Sequence, residues 1–514
     1  MTIPHIAKDE KGIPTLYVDD KPFFVTGGEL HNSAGSSLSH LDESVWPNLR
    51  GMNVNAVIAP IYWELLEPEE GKYDFTLIDG MVEQARREGI RLIGLWFGLW
   101  KNAESMYVPK WMKKDTETYF HVQDVNGRSL NSISPQCRAA IDKDKAAYAQ
   151  VMRHIREIDE NQSTFIFMQV ENEIGLLGTD RDYSDIATES YMRGVPQDLC
   201  DALHVEGTWE EAFGREHAAE SFMAYHYAKA VEQITVAGMQ EHPIPAYTNS
   251  WLLQYPWYPG SYPSGGPVGT VRGIWKAMAP SLFTIAPDIY VPEIAQTMDE
   301  YTTEDNPLFV PEVRKDAQTA SYCLYAFFAK NAIGYSPFGI EDLALPPESI
   351  ARPPMEVMIA LNIDPAAFDI TDSKKYLSQT YSIVHTLTPQ ILKYRNTDRM
   401  HSWVRKTDSD RGVLLHLSDY DVQVAFSPKG TAQPLASGAI IELDNNRFLL
   451  VGMMSTLTFM PKPGERKQVD VVSYEEGSFT DGTWTKNRTL NGDEKMNFGF
   501  GPMPEIRMLE LFKY

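Results

Sequence analysis

Phe165-Ile166-Phe167-Met168-Gln169-Val170-Glu171-Asn172-Glu173 begins as an apolar run and ends in polar groups, with Ile174-Gly175 following. A short, nearly continuous apolar run of this kind fits a strand covered on both faces, as in a parallel sheet. A carboxylate that closes such a strand is costly unless it meets a partner or an open mouth. Outward from this stretch the same texture repeats. Strands are expected at Phe23–Glu29, Ala56–Trp63, Leu92–Phe97, Pro245–Asn249, Asp288–Val291, Leu308–Glu312 and Ile333–Ser336. Segments of helical period lie between them, at Leu77–Glu88, Ala146–Ile158, Ala212–Ala237 and Ala317–Lys330. Eight strands alternating with helices are the count of a (β/α)8 TIM barrel, an α/β fold.

The fourth expected strand, Phe165–Glu171, runs directly into Glu173, and the seventh ends in Glu312. In a barrel the strand ends share one open face, so two acids remote in the chain can meet there. Two carboxyl groups about 5–5.5 Å apart suit a glycosidase working with retention: one is the nucleophile, the other the acid/base. An Asn beside the acid/base can hydrogen-bond the sugar 2-OH, which favours Asn172-Glu173. Alternation alone leaves Glu171 an equal rival, because residues two apart on a strand share a face.

Other residues near strand ends extend the expected pocket. Tyr290 follows the sixth strand and can hydrogen-bond the nucleophile or simply pack in the core. In Trp96-Phe97-Gly98-Leu99-Trp100-Lys101-Asn102, Trp100 can stack on a sugar while Lys101 and Asn102 bind hydroxyls. Trp251, in Asn249-Ser250-Trp251, and Phe338, in Ser336–Glu341, can line the same space. The insert Leu252–Gly273 carries Tyr255, Trp257, Tyr258 and Tyr262 among Pro and Gly, and either walls a sugar site or packs on itself. Leu66–Phe75 reads as a turn.

After the helical stretch Lys375–Lys393 the pattern turns to strands, at Gly412–Phe426, Ala439–Val451 and Thr456–Met460. Turn signals accompany them at Asp444-Asn445-Asn446, Pro463-Gly464 and Asp481-Gly482. The expected division is a barrel over residues 1–396 and a smaller, sandwich-like all-β domain over 397–514.

Forty-six basic against 70 acidic residues give a formal charge of −24, which disfavours nucleic-acid and anionic-membrane partners. Cys137, Cys200 and Cys323 are widely spaced, which excludes a CxxC motif and argues against a disulfide framework. HExxH, Walker A, GxSxG and EF-hand patterns are absent, and the 12 histidines form no ligand-spaced cluster, so neither a metal nor another cofactor is expected. The opening MTIPHIAKDEKG lacks a basic n-region and an apolar h-region, so a cytoplasmic location is expected.

Ten segments stand in order along the chain: Gly27–Leu30, Tyr62-Trp63-Glu64-Leu65, LEPEEGKYDF (66–75), LWFGLWKN (95–102), QVENEIG (169–175), YPSGGP (262–267), APDIY (286–290), NPLFVPE (306–312), SPFGIED (336–342) and LNGDE (490–494). Together they resemble glycoside hydrolase family 35 of clan A, in particular the bacterial β-galactosidases with a distinct C-terminal β-domain. The resemblance implies a TIM barrel, retention, and release of terminal β-D-galactose from oligosaccharides, with galactosylated xyloglucan as one substrate lead. It gives Glu173 the acid/base role and Glu312 the nucleophile role. It also suggests Asn172, Asn102 and Tyr290 as galactose ligands, and draws Tyr62 and Glu64 into the candidate binding set. The chain departs from the wider family at Pro60 and at Trp96–Trp100, and from the close bacterial subgroup at His31. The same machinery acting on a β-glucosaminide or β-arabinopyranoside is the nearest alternative. A non-catalytic sugar-binding protein is the remote one. The expected partner is an oligosaccharide, with a homo-oligomer left open.

Overall fold

The computed structural model describes residues 3–480 and 482–514; Asp481 of the expected Asp481-Gly482 turn lies outside them. Eight parallel strands close into a barrel. They are β1 Val25–Glu29, β2 Ala56–Tyr62, β3 Arg91–Lys101, β4 Phe165–Asn172, β5 Ala246–Trp251, β6 Leu282–Ile289, β7 Phe309–Val313 and β8 Gly334–Pro337. Spatial order follows chain order, and β8 pairs with β1 to close the ring. All residues of β2, β4 and β7 are buried, as strands covered on both faces require. Val25, Ile58, Leu95, Phe167, Tyr247 and Phe309 fill the interior, so the barrel is a packed core rather than a pore. Leu16 and Val18, from a three-stranded antiparallel sheet near the N-terminus, join that interior cluster.

The helices bury their apolar stripes against this cylinder. In Thr76–Glu88, Ile78, Met81, Val82 and Ala85 recur at helical spacing and are buried, and Gly89 ends the helix at φ 69°. Arg138–Asp159 packs on Ala218–Glu241 so closely that a Cβ on Gly238 would lie 2.2 Å from the Tyr148 ring.

Several boundaries differ from the sequence reading. The helix expected from Ala212 is two, Trp209–Phe213 and Ala218–Glu241, because a Thr208–Glu211 capping box starts the first and Gly214 at φ 76° ends it. Strand β6 begins six residues before the expected Asp288: its ladder with β5 starts at Leu282 and continues from Ile285 to Asp288, while Thr284 and Pro287 interrupt the apolar pattern. The expected strands Gly412–Phe426 and Ala439–Val451 are each a hairpin, Gly412–His416 with Tyr420–Phe426 and Ser437–Glu442 with Arg447–Met453.

Beyond the helix Ser373–Tyr394, two antiparallel sheets of six and four strands enclose a core that includes Trp403, Tyr420, Val422, Ile440, Phe448, Phe459 and Leu509. The larger sheet packs on Thr319–Ala329, the helix that follows β7. There Ser321 Oγ accepts the Leu435 N–H at 2.8 Å, and Ser437 Oγ donates to the Ser321 carbonyl at 2.9 Å. Among the described residues, no helix is long and apolar enough to cross a membrane.

Candidate active site

The strand registers bring the ends of the strands to one level. Lys101 of β3 stands opposite Asn172 of β4, Trp251 of β5 opposite Asp288 of β6, and Asp288 opposite Glu312 of β7. Glu29 closes β1 and bridges to Phe338 just past β8. This level borders a cavity of about 310 Å3 lined by Lys101, Asn102, Glu173, Trp251, Asp288, Tyr290, Glu312 and Phe338, with Asn32, Gln254 and apolar loop residues around them.

Glu171 and Glu173 part company here. Both have left-handed backbones, φ 62° and 46°, which breaks the strand alternation. Glu171 is fully buried; its Oε1 accepts the Leu99 N–H at 3.0 Å and its Oε2 the Trp100 N–H at 2.7 Å. It also shares a hydrogen bond with the Asp144 carboxyl, and burial followed by the Asp144 charge drives its pKa well up. Glu171 is thus a buried brace for β3. Glu173 lies in the cavity, its backbone fixed at both ends: its N–H donates to Asn249 Oδ1 at 2.8 Å, and its carbonyl accepts from Ala103 N at 3.1 Å. A left-handed non-glycine residue costs about 1–3 kcal/mol and persists where its surroundings over-determine it.

One oxygen each of Glu173, Asp288 and Glu312 lies within 4.8 Å of the other two. Tyr290 O–H donates to Glu312 Oε1 at 2.6 Å, while Glu312 Oε2 has no protein partner. Burial raises the Glu312 pKa, against the pull of Lys101 and the Tyr290 hydrogen bond. Glu173 is pushed up to about 7, by burial first and by the Glu312 charge second; Lys101 and a hydrogen bond with Asp288 oppose the rise. The two acids therefore stand in different environments, the pattern that separates a proton donor from a nucleophile. Asp288 is driven well up by burial and by the charges of Glu312, Glu173 and Glu29. Asn249 Nδ2 donates to Asp288 Oδ2 at 2.6 Å, so one amide holds both Asp288 and the Glu173 backbone.

Lys101 Nζ donates to Asn172 Oδ1 at 2.8 Å, which leaves the buried Asn172 Nδ2 without a protein acceptor beside Glu173. Asn102 at φ 51° also presents an unpartnered Oδ1. Glu29 is wholly buried with neither oxygen hydrogen-bonded; burial and the Glu312 charge push its pKa well up.

Of the residues expected to touch sugar, Lys101, Asn102, Trp251, Tyr290 and Phe338 line the cavity, and Asn172 stands behind Lys101. Three do not. Trp100 is fully buried, donating from its indole to the Ile133 carbonyl and meeting Tyr227 edge-on, because β3 continues to Lys101 and turns this side chain outward. Tyr62 packs among Phe97 and Tyr107. Glu64 belongs to the short helix Trp63–Leu66 and pairs with Lys113 at 3.0 Å. Asp288 and Glu29 went unassigned from sequence, although Asp288 lies two residues before Tyr290 in the quoted APDIY run. The wall formed by Pro353, Leu361, Ile363 and Phe368 comes from loops with no motif to announce it.

Residues 43–222, which hold β2 to β4 and Glu173, match the family model of glycoside hydrolase family 42, described as Beta-galactosidase. Residues 377–500 match a domain of unknown function, DUF5597. The first match supports a glycoside hydrolase of the β-galactosidase kind; the family it brings is 42 rather than 35, and Glu312 lies outside the matched stretch. No curated protein matches the chain. Similar solved structures include the β-galactosidase from Bacillus circulans sp. alkalophilus (11% identity, TM-score 0.48, covering 95% of this chain and 99% of that one). The β-galactosidase from Rahnella sp. R3 is similar at 12% identity and TM-score 0.48, over 96% and 98% of the two chains. The catalytic domain of β-amylase from Paenibacillus polymyxa is similar at 10% and 0.43, over 62% and 92%.

Proposed function

We propose that the protein is a retaining, exo-acting glycoside hydrolase that releases terminal β-D-galactose from oligosaccharides, with residues 1–396 as its catalytic barrel. The observation that carries this reading is the approach of Glu173 and Glu312 to within 4.8 Å, with only Glu312 held by a tyrosine hydroxyl. That spacing favours double displacement over the wider gap of inverting enzymes. Glu312 Oε2, free of protein partners, attacks the anomeric carbon as Glu173 passes its proton to the glycosidic oxygen and the aglycone departs. The ionised Glu173 then takes a proton from water, whose oxygen displaces Glu312 and releases galactose with its β configuration. Asn172 Nδ2, buried next to Glu173 in the chain without a protein acceptor, is the donor assigned to the sugar 2-OH. The galactose assignment leans on the family match and on the motif resemblance to family 35.

The test is an aryl β-galactoside assayed with Glu312→Gln and Glu173→Ala. Both variants should lose turnover, and azide should rescue only the Glu173 variant, giving a β-galactosyl azide. Near-native turnover by either variant would remove that residue's role. A panel of aryl glycosides separates galactose from glucosamine and arabinose. The carboxylate trio is also spaced to hold a cation, which would ionise all three acids and leave Glu173 no proton to give. Activity should therefore survive exhaustive chelation.

A further inference from the structure

We propose that a second cavity, adjoining the one that holds the carboxylates, seats the leaving-group saccharide, so that the enzyme prefers β-galactosides whose aglycone is itself a neutral sugar chain. The proposal rests on the galactosidase reading of Glu173 and Glu312. This cavity measures about 470 Å3, within the range of small-ligand sites. It adjoins the first along two stretches of chain. Leu252, Leu253 and Val291 line both cavities, and Asn362 lines the second while its neighbours Leu361 and Ile363 line the first.

Its position suits an aglycone. Glu173 stands at the end of β4, and the loop that walls the second cavity leaves the end of the adjacent strand β5. A leaving oxygen protonated by Glu173 therefore departs beside that loop. Its chemistry suits a sugar as well. Trp257 lines the cavity with 58% of its surface exposed, on a left-handed backbone at φ 69° that its surroundings must enforce. Its backbone N–H donates to the Gln254 carbonyl at 2.8 Å, and the Gln254 side chain joins the Ser261 carbonyl to the indole N–H of Trp251, which lines the first cavity. One glutamine thus couples the two aromatic walls. An indole face matches the C–H face of a pyranose, while Gln296, Glu293 and Asn362 offer hydroxyl partners on the same lining. Arg272 already donates to the Glu300 carbonyl at 2.7 Å and lies over the Tyr301 ring, and Glu293 adds negative charge, so the lining suits a neutral ligand over an anionic one.

The experiment compares kcat/KM of the full-length enzyme for an aryl β-galactoside and for a β-galactosyl tetrasaccharide, in native, Trp257→Ala and Trp257→Phe forms. The ratio of tetrasaccharide to aryl kcat/KM should fall about tenfold in Trp257→Ala, the upper scale of one aromatic contact, and recover most of the way in Trp257→Phe. An unchanged ratio, whether both substrates suffer equally or neither does, overturns the proposal. Should the native enzyme cleave neither substrate, the galactosidase reading fails instead. Calorimetric binding of the tetrasaccharide then decides this cavity: weaker binding to Trp257→Ala supports it, and equal binding overturns it.

Discussion

Asn249 Oδ1 accepts the backbone N–H of Glu173 at 2.8 Å while the same side chain donates to Asp288 Oδ2, so Glu173 and the neighbouring carboxyl are clamped by one amide. Asp288 in turn hydrogen-bonds the Glu173 carboxyl, and the pair can share a proton. With Glu173 poised at about 7, the upper limb of the kcat/KM profile should fall near neutrality, where the donor loses its proton. Asp288→Ala removes the hydrogen bond that holds the Glu173 pKa down. Ionised Glu173 loses that partner, so the upper limb should move to higher pH. A pH-rate series in both proteins checks this; a limb that stays put while kcat merely drops would reduce Asp288 to packing.

Tyr290→Phe should act at the opposite limb. The lost hydrogen bond stabilises ionised Glu312, so its removal raises the nucleophile's pKa and moves the acid limb to higher pH. A hydrogen bond to a charged group is worth roughly 1.5–3 kcal/mol, so kcat/KM should fall by about tenfold to a hundredfold. The same pH-rate series reads both effects, and an unmoved acid limb would contradict the role given to the hydroxyl.

Glu29→Gln is expected to stabilise the fold increasingly with pH. The folded-state pKa of Glu29 is raised well above its ordinary value, mainly by burial. The folded chain therefore keeps a proton that the unfolded chain releases. Its contribution to stability is fully present below the ordinary glutamate pKa and is lost as pH rises through the raised one. The gap between native and variant should widen by up to about 1.4 kcal/mol per pH unit in that window. Melting curves from pH 4 to 8 measure it; parallel curves would show Glu29 ionised in the folded state.

Ser321→Val tests the join between barrel and β-domain. It strips the buried Leu435 N–H of its acceptor, which should cost about 1–3 kcal/mol. Chemical denaturation should report that loss with kcat for an aryl galactoside unchanged, since Ser321 lies on the helix packed against the β-sheet rather than on the cavity lining.

Local pattern and composition determined much of this protein: alternating strand and helix texture, the change to β-rich sequence after the last barrel helix, and carboxylates closing the fourth and seventh strands. These are legible because burial on both faces demands continuous apolar runs and because polar groups tolerate only strand ends. Tertiary structure alone showed that Glu173 rather than Glu171 reaches the cavity, since two left-handed residues cancel the alternation on which any face assignment depends. It also turned Trp100 outward, by continuing β3 to Lys101, and it gathered Asp288, Asn249 and the loop walls into one site. Register between neighbouring strands and the path of long loops arise from contacts distant in the chain, and no local run of residues encodes them.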